Sequence, residues 1–491
     1  MPVPLSLATL PELPPAVARP RYARAALSPG IVHVGVGNFH RAHLAVYLDD
    51  LMGAGLDHDW AIRGAGVRPA DEAMRAALQP QDWLSTVVER EGGKSAARVT
   101  GAMVDFLPVA PGHGPLIAAL AEPSTRIASL TVTEGGYFVD PATGRFDPEH
   151  PDIQADVAAP EAPRTVFGAL VAGLAARRAG GLGPFTVMSC DNLPGNGHVA
   201  RAAVLGVAER IDPGLAAWIA AEGAFPDAMV DRITPATSER ERALVAERFG
   251  IEDRWPVPCE PFRQWVLEDA FCAGRPRWEE AGAQVVPDVA PFETMKIRIL
   301  NGGHALIAYA GALLGMTYGF EAMRHPLVRS FLDRVEGSEI IPVVPPVPGT
   351  DLGAYYEVVA RRFDNEAIAD TLARLCLDGS NRQPKFVLPS TRDRLARGLP
   401  VPGLALGSAL WCRFCAGTDE AGRPLALEDE QAERLRRLAL AARDEPGRFL
   451  EMEDVFGDLA AAEPFRSAFA EALGSLWARG TAATLEGYAA G

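Results

Sequence analysis

The sequence predicts an α/β protein in two parts: a parallel, doubly wound sheet over residues 1–285 and a mostly α-helical C-terminal domain over residues 286–491. Three observations lead there. At 491 residues the chain exceeds the ~250–300 that a single hydrophobic core supports. Short β-branched runs alternate with segments of helical periodicity through the first part, the pattern of βαβ units. Beyond about residue 285 the helical period continues while the strand signal fades.

The elements follow in order. After a proline-punctuated lead, "IVHVGVG" is a β-branched run that ends in glycines, and "FHRAHLAVYLDDLM" then places apolar residues at helical spacing. "DWAIRGAGV" reads as the next strand, so residues 30–67 open a βαβ unit. Further strands are expected in "WLSTVVE" (83–89), "RIASLTVTEGGY" (126–137) and "PFTVMSCDNLPGNG" (184–197), with a helix over "TVFGALVAGLAARRAG" (165–180). In the second part, "MKIRILNGGHALIAYAGALLGM", "HPLVRSFLDRVEGSEIIPVV", "IADTLARLCLDGS" and "EDEQAERLRRLALAARDEP" all read as helical. "IPVVPPVPGTDLGAYYE" (341–357) is a proline-rich connector between them.

Composition narrows the function. A net charge of −16 argues against nucleic acid, whose phosphates call for a basic face, and nothing resembles a membrane span or a signal peptide, so a cytoplasmic protein is expected. Six cysteines in so long a chain do not make a disulfide framework. Cys412 and Cys415 in "WCRFC" lack the second pair a zinc site would need, and read as buried thiols. No metal is expected.

"GVGNFHRAH" invites a dinucleotide reading. Gly35 and Gly37 follow a strand and precede a helix, where glycine lets the backbone turn and approach a pyrophosphate, with Asn38, Phe39, His40 and Arg41 next in line as cofactor-side residues. The third glycine of G-x-G-x-x-G is missing, because His40 stands in its place, so a purely structural turn reads equally well. Asp71 suits a ribose hydroxyl and hence NAD, whereas neighbouring Arg68 suits the 2′-phosphate of NADP; Asp71 also reads as a helix N-cap.

The chemistry is expected at "KIRILNGGH". Lys94, Lys296 and Lys385 are the only lysines in a chain that otherwise uses arginine for positive charge. Burial can bring a lysine toward neutrality, whereas arginine stays protonated, so a lysine here reads as a base for a hydroxyl proton. On an ideal helix with Lys296 at zero, His304 falls near ~80° and Asn301 near ~140°, bordering one side. An asparagine amide can donate to a developing alkoxide, and a histidine can orient substrate. A solvated lysine, an Asn cap and a core histidine are the ordinary reading of each residue alone.

These segments resemble, in order, the mannitol dehydrogenase family of polyol-specific long-chain dehydrogenases. The likeness covers "IVHVGVGNFHRAHLAVYLDDL", "TVTEGGY", "SCDNLPGNG", "MVDRITP", "FRQWVLEDAF", the K-x-x-x-x-N-x-x-H element and "LCLDGSNRQPKF", about residues 30–400. That family's turn reads G-x-G-x-F-H-R-A-H, which accounts for the absent glycine. The resemblance implies an N-terminal Rossmann-type domain, a helical second domain and an active site between them. It implies Lys296 as general base, Asn192 and Asn301 on the alkoxide, His304 on substrate and Glu134 assisting proton movement. Asp231, Arg374 and Arg382 would contact substrate hydroxyls, with Lys385 as an alternative to Arg382. It further implies an NAD-dependent, zinc-independent enzyme, a monomer by family habit, that oxidises D-mannitol to D-fructose at C2, with D-arabinitol and D-sorbitol as co-substrates. A hexuronate reductase of the same family, a non-catalytic nucleotide sensor and a zinc enzyme using Cys412 and Cys415 are the alternatives.

Overall fold

A computed structural model of the chain describes residues 2–140 and 143–490. The fold divides into two compact units, the first ending at Ala290 and the second beginning at Pro291.

The first unit is built on a five-stranded parallel sheet: β1 (Pro29–Val34), β2 (Ala61–Ala65), β3 (Met103–Phe106), β4 (Ile127–Leu130) and β5 (Thr186–Ser189). Their spatial order is β3-β2-β1-β4-β5, every pair parallel. The order reverses between β1 and β4, and ligands of doubly wound sheets bind outside the carboxyl ends at such a point. Gly30 to Val34 are all buried, as expected of a strand covered on both faces. Alternation divides its side chains. Val32 and Val34 join Leu130, Val187, Phe167, Leu170, Val204 and Val207 in one core, whereas Ile31 joins Leu48, Leu51, Ile62, Trp265 and Trp278 in another.

Two expectations change in detail. The "WLSTVVE" run does form a strand, Ser85–Glu91, but it lies outside the parallel sheet. It pairs antiparallel with Lys94–Thr100 and parallel with Val257–Cys259 in a separate three-stranded sheet. Two glycines, Gly92 and Gly93, both with positive φ, close that hairpin. The proline-punctuated lead also folds: Val3–Pro4 pairs with Ile251–Glu252, and Leu5, Leu13 and Val17 are buried beside Val245 and Phe249. A further strand, β6 (Ala228–Asp231), pairs antiparallel with Gln264–Glu268.

The second unit is helical. Gly302–Leu313 and Pro402–Cys415 are buried along nearly their whole lengths, as helices apolar all round must be. Cys412 and Cys415 lie inside the latter, where burial pushes both thiols well above their ordinary range. Buried Glu339 accepts from the backbone N–H groups of Gly403 and Leu404 at 2.7 and 3.0 Å, placing its charge on that helix's N-terminus. Among the described residues no helix is long and apolar enough to cross a membrane.

Candidate active site

The first unit supplies three loops at the carboxyl ends of β1, β4 and β5. The loop after β1 is the glycine turn. Gly35 has φ +96°, and a Cβ there would lie 2.1 Å from the Thr131 carbonyl oxygen, so two independent constraints demand glycine. Gly37 is different: a Cβ would meet only the Gly35 carbonyl, at 3.8 Å. Nothing within the protein requires glycine there. The open space over Gly37 is the room a pyrophosphate would need to reach the backbone, so this turn fits a dinucleotide.

The residues that follow mostly brace this turn. Arg41 is 1% exposed; it donates to the Gly37 and Trp255 carbonyls, to Ser85 Oγ and, at 2.8 Å, to Asn38 Oδ1. Burial lowers its pKa to about 10, against the opposing pull of Asp253. Asn38 in turn donates to the Pro235 carbonyl and Thr237 Oγ1, both at 2.9 Å. His40 stacks on His33 with centroids 3.4 Å apart, and among the described residues neither of its nitrogens has a hydrogen-bond partner. Burial holds it neutral, well below its ordinary pKa. His33, also neutral at about 3 through burial, joins Ser129 and Thr131 and so ties β1 to β4. Phe39 stacks on His43, whose Nε2 donates to the Gln264 carbonyl.

Asp71 begins the helix Asp71–Leu78. Its Oδ2 accepts from the N–H groups of Val67 and Arg68 at 3.0 and 2.9 Å, and Oδ1 meets the exposed Arg68 at 3.2 Å. Asp71 is therefore not the helix N-cap expected from the sequence: that position is Ala70, without a side-chain cap bond, and the Asp71 carboxylate instead closes the loop before the helix.

The loops after β4 and β5 carry Glu134 and Asn192, both exposed. Asp191 locks the two together. It accepts from the N–H groups of Val132 and Thr133 at 3.0 and 2.9 Å, and from Tyr137 Oη at 2.6 Å. Thr133 is held at φ +67°, a region that costs a β-branched residue, so these bonds fix a backbone the sequence would not choose. Burial raises the Asp191 pKa against the lowering effect of those same bonds. Asn196 completes the brace: its amide bonds the Asp191 carbonyl and both backbone groups of Ala228, aligning this loop with β6 and its buried terminal Asp231.

The second unit holds Lys296, Asn301 and His304. Here the ideal-helix angles need correction, because Lys296–Asn301 is a π-helical turn, with the Gly302 N–H bonded to the Ile297 carbonyl. A π-turn rotates each residue through less than an α-helix does, so Lys296 and Asn301, five residues apart, come closer to one line than ~140°. Lys296 is 7% exposed. Among the described residues the buried Oδ1 of Asn301 has no hydrogen-bond partner. His304 stacks on Phe363 at 3.8 Å, which fixes its ring plane. Burial first, then Arg374, Arg362, Arg382 and Lys296, push it well below its ordinary pKa, so it is neutral, with one nitrogen to donate and one to accept. That suits an uncharged hydroxyl.

Arg374 is clamped by both oxygens of Asp370, which raises its pKa. Arg382 donates to the carbonyls of Arg374 and Leu375 at 3.2 and 3.0 Å. Lys385 is exposed. Buried Glu293, three residues before Lys296 in "ETMK", is a carboxyl the sequence reading passed over; its signal was that same spacing. Asp191 and Asn196 were passed over as well, although both flank Asn192 in "CDNLPGN". Among the described residues no three His, Cys, Asp or Glu side chains are grouped to hold a metal ion.

Comparison with known proteins agrees with both halves. The mannitol dehydrogenase Rossmann domain model matches residues 29–280, and the mannitol dehydrogenase C-terminal domain model matches residues 288–477. The chain is 56% identical to a mannitol 2-dehydrogenase of Cereibacter sphaeroides, over 96% of this chain and 99% of that one. It is 45% identical to a mannitol 2-dehydrogenase of Aspergillus fumigatus, over 89% of each. Among solved structures it resembles Pseudomonas fluorescens mannitol 2-dehydrogenase in ternary complex with NAD and D-mannitol (TM-score 0.89, 42% identity, 99% of each chain). It also resembles a substrate-free D-sorbitol dehydrogenase (TM-score 0.90, 36% identity, 98% of this chain and 100% of that one). With both of its units matched and its glycine turn and lysine turn in place, the chain belongs to the mannitol dehydrogenase family.

Proposed function

We propose that this protein is an NAD-dependent polyol dehydrogenase that oxidises D-mannitol at C2 to D-fructose, with Lys296 as the general base. The observation that carries the assignment is a buried lysine on a π-turn, followed by a buried amide oxygen and a neutral, stacked histidine. NAD, when bound, supplies the hydride acceptor. The Lys296 amine takes the proton of the C2 hydroxyl, and the oxygen's electron pair forms the ketone as the hydrogen on C2 leaves as hydride. Asn301 donates to the oxygen while it carries charge, and His304 holds the hydroxyl in line. The family resemblance assigns Asn192 to the alkoxide, Glu134 to proton movement, and Asp231, Arg374 and Arg382 to substrate hydroxyls. Gly35 and Gly37 form the pyrophosphate turn, with Asn38, His40 and Arg41 holding its shape. Action as a monomer in the cytoplasm belongs to the same proposal.

The arginines acting on His304 favour a second reading, a hexuronate reductase, because they would pair a substrate carboxylate. Arg374 already has Asp370 as its counter-ion, which weakens that reading. Turnover of mannitol, arabinitol and sorbitol with NAD and NADP, with and without a strong chelator, tests the proposal against NADH oxidation by fructuronate. Mannitol with NAD should give the highest kcat/KM, undiminished by chelator. A preference for fructuronate would establish the second reading, and loss of activity with chelator would establish a metal enzyme.

A further inference from the structure

Against Gly303, between Asn301 and His304, packs an acid with no role so far. Glu336 opens a second π-turn, Glu336–Ile340, and has no exposed surface. Among the described residues neither of its carboxyl oxygens has a hydrogen-bond partner. A Cβ placed on Gly303 would lie 3.0 Å from Glu336 Oε1, 3.3 Å from Phe363 Cε2 and 3.5 Å from Leu332 Cδ1. The carboxyl is therefore packed on the Gly303 Cα, beside the Phe363 ring that stacks on His304.

A carboxylate in such a place would have no donor from the described residues, so burial, reinforced by Asp333, holds its pKa well above the ordinary value. The other charged and titratable groups on the surrounding elements include Arg329, Arg334, Tyr355, Tyr356, Glu357, Arg361, Arg362, Lys296, Arg298, His304, Glu339 and Arg394. Tyr356 donates to Asp333 at 2.5 Å, and Arg394 donates to the Ser338 carbonyl at 2.6 Å. None of these groups is hydrogen-bonded to Glu336. The neutral acid can remain where it is. An ionised one must swing or draw in water, and the Gly303 backbone and Phe363 ring lie in its way.

The geometry points to Glu336 as a positioning residue for the polyol site: as a neutral acid it holds the Gly302–His304 segment in place, and as a carboxylate it displaces that segment and stops turnover. This rests on the polyol dehydrogenase reading. It adds an alkaline limit to the pH range, set by a group that touches neither substrate nor cofactor.

The test compares the pH dependence of kcat for mannitol oxidation in wild type, Glu336→Gln and Glu336→Met. Wild-type kcat should fall about tenfold one pH unit beyond the Glu336 pKa, as for any single ionisation whose charged form is inactive. That fall should be absent from both variants, while the Kd for NAD stays constant. Infrared difference spectra should show the C=O stretch of a protonated carboxyl at neutral pH in wild type but not in Glu336→Gln. Superimposable pH profiles, or a missing carboxyl band, overturn the proposal; if the Gln variant does not fold, the Met variant decides. Wild type that turns over no polyol would instead overturn the functional reading, and the infrared band would still report the state of Glu336.

Discussion

Replacing Asp191 with alanine removes the clamp between the loops that carry Glu134 and Asn192. Three donors lose their acceptor: the N–H groups of Val132 and Thr133, and Tyr137 Oη. Hydrogen bonds to a charged acceptor contribute about 1.5–3 kcal/mol each, and a buried donor left unpaired costs about as much. Two features reduce the sum. Thr133 is exposed, so water can satisfy its N–H, and Tyr137 keeps Ser189 Oγ at 2.6 Å. Removing Asp191 also relieves the burial that raises its pKa. The net loss should be about 2–3 kcal/mol, read from urea denaturation as a lower midpoint at constant slope. Thr133 should then leave φ +67°, carrying Glu134 with it, and a displacement near 1 Å at a reacting site can cost about 100-fold. The expected result is a kcat reduced by about 10- to 100-fold. Stability within about 0.5 kcal/mol of wild type together with unchanged kcat would refute the clamp.

Four further outcomes follow from the same structure. Gly35→Ala should cost more than about 2 kcal/mol and abolish NAD binding, because its Cβ meets a carbonyl at a positive φ. Gly37→Ala should fold normally yet bind NAD about tenfold more weakly in a fluorescence titration; equal affinity would remove the pyrophosphate from this turn. Glu336 should also set a pH dependence of stability. Its folded pKa is raised well above 4.5, so the folded form keeps a proton that the unfolded chain releases. Stability from this group is greatest below pH 4.5 and is lost as pH rises toward the folded pKa, by ~1.4 kcal/mol per pH unit. Glu336→Gln should therefore gain on wild type by that slope through the neutral range in denaturant titrations, whereas parallel curves would mean that Glu336 is ionised. Arg382→Ala should raise the KM for polyol while Lys385→Ala leaves it alone; the reverse result would assign the contact to Lys385.

Four strands of the parallel sheet were legible because they are short apolar runs separated by helical periods, whereas Met103–Phe106, with one β-branched residue, was not expected; the glycine turn was legible because a positive φ at Gly35 leaves a visible residue. The helical half was legible for a similar reason: its central helices are apolar on every face. The π-turn left no such trace. Widening a helix at Lys296–Asn301 requires no particular residue type, so the ideal-helix angles misplaced Asn301. Asp191 and Asn196 were invisible as braces because their partners lie as far as 59 and 32 positions away. Arg41, a cation beside a glycine turn, reads in sequence as a cofactor residue, yet its donors go to the protein. The hairpin at Ser85–Thr100 has the β-branched composition of a sheet strand, and only its glycine pair shows that it turns back on itself.

The central claim is that the buried amine of Lys296 receives the hydroxyl proton. Single-turnover NADH formation by Lys296→Ala, with NAD binding measured on the same preparation, tests it most directly. The account predicts intact NAD affinity with turnover reduced by about 100-fold or more, partly restored by added primary amine and by higher pH. Turnover near that of wild type, with the same pH profile, would contradict it.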